Sequence, residues 1–295
     1  MQVPFKILYA SLGWQTRGWG FQQYKDFLEE FSELTDPFSS SAIEYVSEHL
    51  KLNRTAIIDT LKLLQRQLLN DIQRDVQHIC VVDENYPTVL KHCSHPPLVL
   101  SVLGTVTCLQ SLGLGVVGAR KITEDSKSWL ESEFFEFVSS LSSETQLAIY
   151  SGGARGVDQL SHQIALLANA PCVAILPTGF NHIYPSSFQS LGAQILRRGG
   201  ALISPFAPWQ AVRKSLFHYR NQILAGCVQS LLIVQAAARS GTYISAQMAM
   251  AEGRELLVVP GHPQQHAYQG NLSLIFEGAA VVRDAQDLQD LVRFR

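Results

Sequence analysis

From residue 113 onward, short runs of Val, Ile and Leu alternate with stretches of helical period, and few folds tolerate that rhythm. The runs are GLGVVGA (113–119), AIYSG (148–152), CVAILP (172–177), ALISP (201–205), SLLIVQA (230–236), LLVVPG (256–261) and AAVV (279–282). Helical patterns lie near 124–143, 156–169, 186–197, 217–226, 242–252, 270–278 and 285–293. A strand apolar along its whole length has to be covered on both faces, so the alternation predicts a doubly wound, mostly parallel α/β sheet. The low share of charged residues, 16 %, fits a large buried sheet. Ligands on such sheets sit beyond the carboxyl ends of the strands.

The first part of the chain has a different texture. FQQYKDFLEEF and IIDTLKLLQRQLLNDIQ place apolar residues at three- and four-residue steps with few glycines, which predicts a small helical domain over residues 1–79. A connector comes next, punctuated by Tyr86-Pro87 and Pro96-Pro97 and containing LVLSVLG as a strand; residues 80–295 are assigned to the sheet domain. Five cysteines, at 80, 93, 108, 172 and 227, are widely spaced with no Cys-x-x-Cys, so reduced thiols are expected rather than disulfides or a zinc ribbon. The beginning of the sequence lacks a secretion-signal pattern, and no apolar run approaches the ~18 residues of a membrane span. A cytoplasmic protein without membrane partners is expected.

Net charge is only −2, yet the charge is unevenly placed. Residues 1–110 carry nine Lys/Arg against twelve Asp/Glu, whereas residues 146–251 carry seven (Arg155, Arg197, Arg198, Arg213, Lys214, Arg220, Arg239) against the single acid Asp158. Five of the seven fall in turns after predicted strands, and Arg120 adds another. Positive charge is therefore expected along one rim of the sheet, facing an anionic partner.

Three motifs lie on that rim. Ser151-Gly152-Gly153-Ala154-Arg155-Gly156 joins a strand to a helix and reads either as a phosphate cradle at a helix N-terminus or as a compact turn with Arg155 in solvent. Lys214, Phe217 and Arg220 recur at three-residue steps, which places cation, aromatic and cation on one helix face. Single-stranded nucleic acid asks for that order; the alternative buries Phe217 in the core. Arg239-Ser240-Gly241-Thr242 reads as a second anion-binding helix end or as an ordinary Ser cap.

Other chemistry is poorly represented. Gly113-x-Gly115-x-x-Gly118 matches a dinucleotide fingerprint literally, but Val116 and Val117 make it a strand. No Gly-Lys-Ser/Thr or Gly-x-Ser-x-Gly occurs, and neither His92/Cys93/His95 nor His262/His266 completes a metal set. Asp158 reads as a first-turn helix carboxylate. No catalytic residue, metal or cofactor is assigned.

The ordered motifs SGGARGVD, PTGFNHIYP, FHYRNQILAG, ARSGTYISAQMAMAEGRELLVVPG and LIFEGA, with YPTVLKHCSHPPLVLSVLG before them, resemble the DprA/Smf DNA-processing family over about residues 80–285. The resemblance implies an extended Rossmann-like domain that binds single-stranded DNA without catalysis, forms homodimers, and loads RecA recombinase onto incoming DNA in natural transformation, relieving the block by single-strand binding protein. By position, Arg120, Arg155, Lys214, Phe217, Arg220 and Asn221 would line the DNA groove, and Gly152, Gly153, Ser240 and Gly241 would offer backbone contacts. The N-terminal helices match only loosely the small SAM-like or helix-hairpin-helix-like domain of many members, and a C-terminal winged helix is not expected. Gln222 stands where the family usually has arginine, Gln235 where glutamate is common, and Leu272 where asparagine is expected, with Asn271 shifted by one.

Two other readings compete. Related sheets with Gly-Gly-x-Gly-Thr loops cleave nucleotide phosphoribosyl bonds, but they need a glutamate that Gly241 to Gln247 does not supply. A scaffold serving only dimer and partner contacts is the third.

Overall fold

Each apolar run becomes a strand. The computed structural model describes residues 3–16, 18–141 and 147–292. The N-terminal stretch contains helices α1 (Phe5–Ala10), α2 (Phe21–Glu30), α3 (Ser40–Leu50) and α4 (Arg54–Ile72), then β1 (Val76–Cys80), the short α5 (Thr88–Lys91) and β2 (Val99–Gly104). The alternating part begins with β3 (Leu112–Gly118) and α6 (Glu124–Trp129), which runs through a π-helical turn (Leu130–Phe134) into α7 (Phe135–Ser140). It continues with β4 (Leu147–Ser151), α8 (Val157–Leu167), β5 (Cys172–Ile175), α9 (Gln189–Arg197), β6 (Ala201–Ser204) and α10 (Lys214–Cys227). It closes with β7 (Ser230–Gln235), α11 (Gly241–Ala251), β8 (Glu255–Val258), α12 (Gln269–Phe276), β9 (Ala280–Val281) and α13 (Ala285–Leu291). The predicted helix ends at 142–143 and 293 lie outside the described residues.

Among the described residues the strands form one sheet in the order β1-β2-β6-β5-β4-β3-β7-β8-β9. Every pair from β6 to β9 is parallel; β1 with β2 and β2 with β6 are antiparallel. The chain winds one way from β3 through β4 and β5 to β6, then crosses back to place β7 on the other side of β3. The order therefore reverses between β3 and β7, and a crevice opens at the carboxyl ends of those two strands.

Two departures from the sequence reading are local. Strand β1 lies inside the stretch read as helical, so the sheet begins at residue 76. Gln77 and His78 interrupt its apolar pattern, yet His78 is buried, its Nδ1 3.0 Å from Ser101 Oγ on β2. Helix α10 starts at Lys214, three residues earlier than the sequence pattern predicts, because the lead-in Lys-Ser-Leu contains no helix breaker.

The apolar core lies on both faces of the sheet. One face is covered by α6 to α9 and α13, through Leu130, Phe134, Phe137, Ile164, Ile195 and Leu288. The other takes α10, α11 and α12, through Ile223, Leu224, Ala246 and Leu274, and shares a continuous cluster with Tyr9, Phe27, Leu61 and Leu68 of the N-terminal helices. Aromatic stacking (Tyr9 on Phe27, centroids 4.6 Å apart) fills the helical part. Polar ties fasten it to the sheet part, among them Cys80 Sγ donating to Tyr24 Oη at 3.2 Å and Trp14 Nε1 donating to the Pro205 carbonyl at 3.1 Å.

Candidate functional site

At the crevice between β3 and β7 lies a groove of about 690 Å³. Four strand-end segments build it: Val117–Arg120 at the end of β3, Ala154 and Asp158 after β4, Val212 to Lys214 with Phe217, His218, Arg220 and Asn221 at the start of α10, and Gln235 to Ala237 with Ser240 to Thr242 from the end of β7 to the start of α11. A parallel sheet places the N-termini of the helices after its strands on this edge, and α8, α10 and α11 all begin here. Their positive dipole ends add to the side-chain cations around the groove. The Gly113/Gly115/Gly118 pattern lies within β3 itself.

Of the residues singled out in the sequence, Arg120, Lys214, Phe217, Arg220, Asn221, Ser240 and Gly241 line this groove together. Arg120 and Lys214 are exposed and Phe217 is half-buried. The Arg120 guanidinium sits 5.1 Å from the centre of the Phe217 ring, and Tyr184 meets that ring edge-on at 6.0 Å. Phe217 is thus an aromatic ledge between cations rather than a core residue. Asn221 Nδ2 donates to Ser245 Oγ at 2.7 Å, which ties α10 to α11 across the floor.

The other residues are placed differently. Gly152 and Gly153 are buried and do not line the groove; Gly153 packs on the Phe188 ring. Arg155 is exposed but outside the lining, as is Arg239. Arg197 and Arg198 belong to a separate groove of about 620 Å³ between α8 and α9. Arg220 lines the groove but is 4 % exposed, so its charge is internal.

The glycine turn explains this. Asp158, in the first turn of α8, accepts the Ala154 N–H at 3.2 Å. The expected cradle is thus filled by the chain's own carboxylate. Arg220 Nη1 approaches Asp158 Oδ2 at 3.6 Å. A Cβ on Gly152 would lie 1.2 Å from that Nη1, so a glycine is what admits the guanidinium. Burial pushes the Asp158 carboxyl up and the Arg220 guanidinium down, and each charge opposes the shift of the other. Gly156, at φ +82°, lets this turn abut the one after β3: a Cβ there would meet the Ala119 carbonyl at 2.2 Å, where Val157 N–H now donates at 3.2 Å.

The second turn is open. Ser240 Oγ accepts the Tyr243 N–H at 3.1 Å as an N-cap, while Gly241 is exposed with nothing within 4 Å of its missing Cβ. Over residues 77–293 the chain matches the family described as DNA recombination-mediator protein A. It belongs to that family. It is 32 % identical to Protein Smf of Escherichia coli K12 over 76 % of this chain and 59 % of that one. It is 31 % identical to the DNA processing protein DprA of Bacillus subtilis over 76 % of this chain and 74 % of that one. The X-ray structure of DprA from Streptococcus pneumoniae superimposes over the whole of both chains with a TM-score of 0.80 at 23 % identity, a likeness of fold. DNA processing protein A from Helicobacter pylori, described for its single-stranded DNA binding mode, covers 72 % of this chain and 94 % of its own with a TM-score of 0.62 at 24 % identity.

Within this member of the family, two of the unusual residues have clear structural work. Gln235 Oε1 accepts the N–H of Thr123 at 2.9 Å and its hydroxyl at 3.1 Å, which anchors the start of α6. Asn271 is fully buried: its Oδ1 accepts the Ala236 N–H at 2.6 Å, and its Nδ2 donates to the carbonyls of Ile233, Val234 and Val259. It thereby closes the end of β7, where the open turn begins. Gln222 is half-buried, and nothing in the structure explains its choice over arginine.

Sequence reasoning did not assign Arg213 or His218 to the groove, nor set Tyr184 against Phe217. Arg213 and His218 are exposed groove-lining residues beside Lys214 and Phe217. The signal for Arg213 was its place beside Lys214; Tyr184 lies in a distant turn and gave none.

Proposed function

We propose that this chain binds single-stranded DNA in the groove between β3 and β7 and passes it to RecA recombinase. One observation carries the reading: Arg120, Arg213 and Lys214 surround the half-buried Phe217 where three helices begin, at the switch point of the sheet. Exposed cations on a concave edge suit a phosphate backbone, and an accessible ring suits unpaired bases of any identity. Asp158, the one carboxylate lining the groove among the described residues, is taken up by Arg220 and the glycine turn, which supports a binding module rather than an enzyme. The proposal includes action in the cytoplasm, displacement of single-strand binding protein, and a homodimer.

The test is fluorescence anisotropy with labelled oligo-dT and a duplex of equal length across a salt series. Preference for oligo-dT, with affinity falling as salt rises, is the expected result. Equal or absent binding overturns the reading. Strand exchange by RecA on DNA pre-coated with single-strand binding protein then tests loading: added chain should restore it, and no restoration removes that part.

A further inference from the structure

We infer that Asp158 and Arg220 are positioning residues, an internal ion pair that fills the glycine turn and clamps α10 against it, and that neither touches DNA. The inference rests on the groove being the DNA-binding surface, and it reassigns Arg220 from ligand contact to internal strut.

Four observations carry it. Asp158 and Arg220 are 5 % and 4 % exposed, so neither charge reaches the rim. Asp158 is already engaged by the Ala154 N–H and by Arg220, so a carboxylate occupies the turn where a phosphate would sit. Gly152 provides the space in which the guanidinium lies, so turn and helix fit only in one arrangement. Lys214, Phe217 and Arg220 succeed one another at three-residue steps on α10, so fixing Arg220 fixes the rotation of the helix and aims Lys214 and Phe217 at the groove. A buried ion pair is seldom more stabilising than an apolar pair of the same volume, so its use here fits a demand for register.

The pair also sets the place of Arg120. Gly156 docks the glycine turn on the Ala119 carbonyl, one residue before Arg120, and Arg120 then lies over the ring that Arg220 has oriented. Three cations, one from the turn after β3 and two from α10, thus form two layers: Arg220 inside, Arg120 and Lys214 outside.

The experiment compares wild type, Asp158→Asn, the doubly neutral Asp158→Asn/Arg220→Gln, and Arg120→Ala for oligo-dT binding across a salt series. Hydrogen exchange is measured at residues 152–158 in the same proteins. If Arg220 were a phosphate contact, Asp158→Asn would free it and raise affinity, and the double variant would flatten the salt slope. The positioning role predicts the opposite: Asp158→Asn lowers affinity about tenfold, and the double variant keeps the wild-type salt slope. Arg120→Ala should instead reduce that slope by roughly 0.7, as loss of one phosphate contact to a single strand does. Faster exchange at the Ala154 amide in both Asp158 variants, with the rest of the chain protected as before, supports the strut. Tighter binding by Asp158→Asn, a flattened slope in the double variant, or unchanged exchange at Ala154 overturns it. Should wild type fail to bind oligo-dT, the functional reading fails by itself, and the exchange data still decide whether the pair holds the turn. Arg220→Lys, which keeps the charge but not the planar fork, serves if the Asp158 variants do not fold; faster exchange at Ala154 supports the clamp and unchanged exchange overturns it.

Discussion

The turns after β4 and β7 look alike in sequence, each a strand end, a small-residue corner and a helix, yet they fold to opposite ends. Ser151–Gly156 turns inward: Gly152 and Gly153 are buried, and the Ala154 N–H is taken up by Asp158. Ser240–Thr242 turns outward: its cap comes from Ser240, and Gly241 is exposed on the groove. The difference lies in the helix that each turn leads into. Asp158 stands in the first turn of α8, where a carboxylate can fold back onto the loop, whereas the first turn of α11 has no acid. A glycine-rich helix start is thus an anion site only when no nearby side chain already serves as the anion.

That contrast can be broken by substitution. The largest effect is expected from Gly152→Val, whose branched side chain has to displace the Arg220 guanidinium and leave Asp158 buried without its partner. A loss of about 4 kcal/mol is expected, the cost of breaking a buried pair, read from the midpoint of urea unfolding. A loss no greater than that of an ordinary surface change would mean the turn is not closed around the pair.

Phe217→Ala belongs to the outward-facing set and should leave unfolding almost unmoved. It should weaken oligo-dT binding by about 2 kcal/mol through the lost stack, without altering the salt slope. Unchanged affinity would return Phe217 to a packing role. Lys214→Ala should cost about 1 kcal/mol of binding near physiological salt and lower the slope by roughly 0.7; an unaltered slope in the same titration would remove it from the phosphate path. The smallest effect is expected from Gly241→Ala, which meets no atom within 4 Å and should shift stability by less than about 0.5 kcal/mol. If it destabilised the fold as Gly152→Val does, the two turns would be equally closed and the contrast would collapse.

Much of the architecture was legible because its signals are local. Continuous apolar runs such as Ser230–Gln235 report burial on both faces, and the helices between them report the parallel connection. Strand β1 was not legible: His78 and Gln77 lower its apolar character, and its place depends on pairing with β2, a strand at the far end of the connector. In the groove, the three-residue steps of Lys214, Phe217 and Arg220 were legible as one helix face, but they do not say which member points in. Phe217, the apolar residue, ends up half-buried at the rim, and Arg220, the charged one, is buried.

The sequence by itself determined the doubly wound sheet and gathered the basic residues in turns at one edge, because hydrophobic period and turn composition act over a few residues at a time. Only the tertiary structure decided which of those turns opens onto the groove. That choice depends on Asp158 and Arg220, remote along the chain, meeting under Gly152 where burial makes an unpaired charge too costly to leave.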